Sequence, residues 1–166
     1  YEVTKLVGRV TPMVLWGLGP DPVADPAQCA TLAAAPVDPA TARGWSGSGA
    51  GGIVYAVVAR TAAPADAALP GQCRQWTVTG GHAHGSVTGV DAPAIDGAST
   101  AGMAASITTV VEGGTESRSR ADTFTADLDG YHCAVTAVTD PGSPNPALGA
   151  DFAADLLVKT VSSLRG

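Results

Sequence analysis

Three histidines, three cysteines and a scatter of serines and carboxylates are the side chains through which this chain could do chemistry. His82 and His84 stand two apart in GGHAHG, on one face if the segment is extended. With His132 of GYHC they could form a three-histidine metal site. The glycines on either side instead predict a hairpin tip, where exposed histidines cost nothing, and no spaced ligand motif accompanies them. Cys133 and His132 are chain neighbours that a strand sends to opposite faces, so they form no nucleophile–base dyad. GWSGS around Ser46 lacks the last glycine of a nucleophile elbow. Glu112 and Glu116 flank VEGGTE and could face each other. A glycosidase pair would need a cleft lined with aromatics, though, and aromatics make up only 5% of the chain. They read as a solvated hairpin end, with Glu116 near Arg118 and Arg120. These residues predict no catalytic group, no metal and no cofactor.

GSGAGG places Gly47, Gly49 and Gly52 at the spacing of a dinucleotide-binding loop. Such a loop must open a helix whose first amide groups face the pyrophosphate. The next residues here are IVYAVVAR, β-branched and aromatic, and no lysine completes a phosphate loop. The glycines therefore predict a β-hairpin between Trp45 and Tyr55.

None of the cysteines sits in C-x-x-C. Cys29 in DPAQCATLAAA and Cys73 in LPGQCRQW each lie beside a proline-bounded turn, whereas Cys133 lies mid-strand as a small buried hydrophobe. This predicts a Cys29–Cys73 disulfide and a free thiol at Cys133, with Cys73–Cys133 as the alternative pairing. A disulfide in turn predicts an oxidising compartment, so a secreted or cell-surface protein. Trp45, Tyr55 and Trp76 are the large side chains that could line an apolar groove between sheet and helix; the competing reading makes the tryptophans core anchors.

The elements that must position these groups are legible from pattern. The 166 residues suffice for a real core, and the hydrophobic share of 45% against 14% charged excludes a disordered chain. The net charge of −6 and the absence of a basic stripe exclude nucleic acid as a partner. No run of eighteen apolar residues provides a membrane-spanning helix. The start at Tyr1 reads as a trimmed or mature form, with any signal peptide or lipid-anchor cysteine lying upstream.

Tyr1–Val10 alternates as a strand, and TPMVLWGLGPDPVADP reads as a loop carrying an apolar Met13–Trp16 patch. Asp25-Pro26 starts a short alanine-rich helix with Asp25 as N-cap, ending before Pro36. APADAALPG holds one helical turn. Strands lie around GGHAH, around Gly113-Gly114 and after the Asp127–Gly130 turn. The last helix places Phe152, Leu156, Val158 and Leu164 near helical spacing, with Asp151 early and Arg165 late. The prediction is one α+β domain over residues 1–166: a single antiparallel sheet of about six or seven strands, with a short N-terminal helix and a C-terminal helix packed on one face.

Four stretches carry a resemblance: the DPAQCATLAA helix, the CRQWTVTGG strand, the VVEGGTESRSRADTF hairpin, and VTDPGSP leading into ADFAADLLVKTVSSLRG. In these the chain resembles a family of uncharacterised mycobacterial secreted proteins and lipoproteins. More distantly it is similar to the extracellular sensor domain of a mycobacterial receptor Ser/Thr kinase, which shares a helix cysteine paired with a sheet cysteine. The resemblance implies an envelope or secreted location and supplies no functional residue. The expected function is a non-catalytic, exported cell-envelope domain, sensor-like, that binds a small molecule, lipid or envelope protein. The alternatives are a protein–protein interaction module without a pocket, and a hydrolase or metal enzyme built around the His82–His84 loop and His132.

Overall fold

A computed structural model describes residues 2–6 and 10–166. Nine strands form one antiparallel sheet: β1 (Glu2–Lys5), β2 (Val23–Asp25), β3 (Arg43–Gly49), β4 (Gly52–Arg60), β5 (Gln75–Gly80), β6 (Ala83–Val90), β7 (Ser99–Val110), β8 (Glu116–Leu128) and β9 (Tyr131–Thr139). Their order across the sheet is β1-β3-β4-β9-β8-β7-β6-β5-β2. Strands β5 to β9 run as a meander, and the β3–β4 hairpin then joins through β9. The helices are α1 (Pro12–Leu15), α2 (Ala30–Ala33), α3 (Leu69–Gln72) and α4 (Ala150–Arg165).

The hairpin turns lie where glycine spacing places them. In β3–β4, Gly49 faces Gly52, and Gly52 takes φ +136°, so GSGAGG reverses the chain and opens no helix. Asp129 and Gly130 both have positive φ in the two-residue turn between β8 and β9, the geometry that Asp-Gly favours. Gly113 and Gly114 also take positive φ, in the longer loop between β7 and β8.

The expected count of six or seven strands is too low. Strand β2 is three residues between prolines, too short to show an alternation, and it pairs with β5 as an outer edge. Because Asp25 ends that strand opposite Thr77, it is no N-cap; Pro26 joins it through a cis peptide and caps a 3₁₀ turn, Ala27–Cys29, that leads into α2. The Met13–Trp16 stretch is no loop either. The Thr11 hydroxyl accepts the amide of Val14 and caps α1, and Met13, Trp16 and Leu18 are buried. The strand expected over Tyr1–Val10 is β1; residues 1 and 7–9 lie outside the described ones.

Each face of the sheet carries its own core. On one, α4 lies against β8 and β9 and buries Ala153, Leu157 and Val161 over Phe124, Cys133 and Val135. Spacings of four select that stripe, so Phe152 and Val158, expected inward, are exposed. On the other face, α1 and the α2 region cover Val78, Val87, Met103 and Ala105. There the Trp16 Nε1–H donates to the Thr123 hydroxyl at 3.1 Å, which shares a 3.0 Å hydrogen bond with Thr136. Trp16 also packs on Trp76 with ring centroids 6.0 Å apart.

Candidate functional site

The two-residue turn at Asp129-Gly130 fixes the register of the strands it joins: Leu128 faces Tyr131, and Asp127 faces His132. His132 Nδ1 lies 2.8 Å from Asp127 Oδ1. A carboxylate on Nδ1 selects the tautomer with its proton there, so the neutral ring presents Nε2 as an acceptor. Only 10% of the His132 side chain is exposed, and Nε2 has no hydrogen-bond partner among the described residues.

This pair belongs to a cavity of about 220 Å³ on the α1–α2 face of the sheet. Its floor is Ser99, Ala101, Thr125, Asp127 and His132, from the paired ends of β7, β8 and β9. One wall is Thr31, Leu32, Ala35 and Pro36, on and just after α2. The other runs from Thr61 to Pro70, including Pro64, Asp66 and Leu69. Asp66 Oδ1 accepts the amide of Ala68 and shapes the turn that enters α3. Beyond Ala63 and Ala65 the cavity adjoins a shallower depression bounded by Gly97, Asp129 and Tyr131. Across the His132 ring, a second space of about 30 Å³, the volume of roughly one water, is lined mainly by apolar residues such as Val57 and Ala59.

Cys29 and Cys73 are joined by a disulfide with S–S 2.08 Å, leaving Cys133 as a buried free thiol. Cys29 precedes α2 and Cys73 comes directly after α3, so the bond ties together the two segments that wall the cavity.

The residues expected to line a groove are not brought together. Trp45 pairs with Ala56 while Tyr55 pairs with Ser46, so neighbouring positions on β4 send Trp45 and Tyr55 to opposite faces. Tyr55 and Trp76 share a face but lie five strand spacings apart, about 24 Å. Trp76 is core, with 3% exposure, and Trp45 is 57% exposed. The histidines are separated as well: His82 is at the β5–β6 tip, and His84 is exposed on β6, three strand spacings from β9. Among the described residues no group of three or more His, Cys, Asp or Glu could hold a metal ion. Arg120 pairs with the buried Asp122 at 3.1 Å, and no ion pair to Glu116 occurs among the described residues.

The order of side chains across the floor decides what they can do. Ser99 faces Asp127, and Asp127 faces His132. The carboxylate stands between hydroxyl and imidazole, whereas activating a serine requires the imidazole in the middle. What remains is an acceptor-rich patch in a cavity with apolar walls.

Fold and cavity thus define an antiparallel-sheet domain with a small cavity and, among the described residues, no assembled Ser-His-Asp triad. The chain belongs to the DUF5642 family, a domain of unknown function, which it matches over residues 1–165. Its fold is shared by a putative uncharacterised protein from Mycobacterium smegmatis, an Rv0999 ortholog whose structure was determined by X-ray crystallography. That match has a TM-score of 0.63 at 23% identity and covers 99% of this chain and 89% of that one. No curated protein matches it. An uncharacterised mycobacterial family is therefore supported.

Proposed function

We propose that this protein is a non-catalytic, exported cell-envelope domain that binds a small molecule in the cavity between β7–β9 and the α2 and α3 segments. The observation that carries the reading is His132: a nine-tenths buried side chain, oriented by Asp127, lining a cavity with its second nitrogen unpartnered. Nε2 opens into the cavity without a protein partner, so a ligand or water that brings a hydrogen bond would complete it. Export is supported by the disulfide, a bond that persists in oxidising compartments. A fragment screen read out by ¹⁵N–¹H correlation spectra tests the binding. Hits should move the amides of Ala101, Thr125 and His132 together, and a library that moves none of them would sink the reading.

One observation favours an interaction module instead. Trp45 and Val3 are 57% and 64% exposed on the same face of the β1–β3 edge. If that edge mediates assembly, light scattering should give a dimer mass that Trp45→Ser returns to monomer. A monomer mass at every concentration counts against self-assembly.

A further inference from the structure

From the cavity's polar groups we infer that its ligand is a small organic cation, an amine carried on an apolar body; this rests on the cavity reading above. The ionisable groups lining the cavity are Asp66, Asp127 and His132, with no lysine or arginine among the described residues. Asp127 uses Oδ1 for His132, and its side chain remains 24% exposed. Oδ2 has no partner among the described residues and is left for a ligand. His132 offers a second acceptor at Nε2. The nearby cations are otherwise engaged: Arg60 stacks over Tyr131 at 4.9 Å, and Arg165 donates to the Asp96 carbonyl. Arg74 lines a separate depression beyond Leu32 and Pro70.

Two acceptors, one of them a partly buried carboxylate, ask a ligand for donors and positive charge. An anion would meet Asp127 with no countercharge beside it. The walls set the remainder of the molecule: Leu32, Ala35, Pro36, Pro64 and Leu69 present aliphatic surface. The volume of about 220 Å³ equals roughly seven waters, so the body is a single ring or short chain.

Three near-isosteric probes differing in charge test this: phenethylamine, 2-phenylethanol and phenylacetate, titrated at low salt and monitored at the cavity amides. The amine should bind about tenfold more tightly than the alcohol, the worth of one charge-assisted hydrogen bond, and phenylacetate should bind most weakly. Asp127→Asn, nearly isosteric and able to keep the bond to His132, should erase the advantage of the amine over the alcohol. Phenylacetate binding as tightly as the amine overturns the cation assignment but keeps the cavity as a site. An amine preference that survives in Asp127→Asn also overturns the assignment. No shift with any probe overturns both readings. The charge order in the unmodified protein decides the matter even if the variant does not fold.

Discussion

The Cys133 thiol faces α4, fully buried, and its pKa is pushed up to about 11 from an ordinary 9.0, first by burial and then by the Asp127 carboxylate. Because the folded state holds this proton more tightly, stability is unaffected below pH 9 and declines as pH rises from 9 to 11. Urea unfolding at pH 8 and pH 10.5 should show a loss that is smaller in Cys133→Ala; equal losses would contradict the assignment. The same strand pair shows why Asp127 and His132 do not stand out together in the sequence. Placing the two-residue turn at Asp129-Gly130, rather than over DLDG as a whole, is what finds them, since it pairs Leu128 with Tyr131 and, one step out, Asp127 with His132. What stays illegible is the partner across the other strand: Ser99 comes to Asp127 through a register that no local motif encodes. Trp45 and Tyr55 illustrate the converse, since size suggests a groove but strand parity parts them.

At the scale of elements, glycine and proline place the hairpins and α4, while tertiary contacts decide the segments between. Helix α1 has four residues, too few to form alone, and is held by the burial of Met13 and Trp16 and the Trp16–Thr123 hydrogen bond. Trp16→Phe should therefore cost about 2 kcal/mol, combining lost packing with a lost buried hydrogen bond, measured by urea unfolding. Gly85 tests the sheet in the same way. A Cβ there would press on the Ser106 carbonyl and on Ile107 of β7, so Gly85→Ala should destabilise by about 1–3 kcal/mol. The disulfide belongs to this scale too. Replacing both Cys29 and Cys73 by Ser should lower stability by about 2–5 kcal/mol. It should also weaken any cavity ligand, because the α2 and α3 walls are then no longer tied; unchanged affinity would show that the sheet alone positions them.

For the whole molecule, the sheet divides the labour. One face is closed by α4 over an alanine- and valine-rich core. The other is closed by short segments that pack over β5–β9 yet leave a cavity above the ends of β7, β8 and β9. Two short strands, β1 and β2, end the sheet, which limits edge-to-edge pairing. On the proposed reading this cavity, and no other surface, receives the ligand. Ala101 lies on its floor, and Ala101→Phe would fill it from a strand whose register is fixed on both sides. The decisive measurement is the spectral titration of this variant with probes that bind the unmodified protein. The expected result is a folded protein, with dispersed amide signals, that no longer responds to them; a folded variant that binds as before would place the ligand elsewhere.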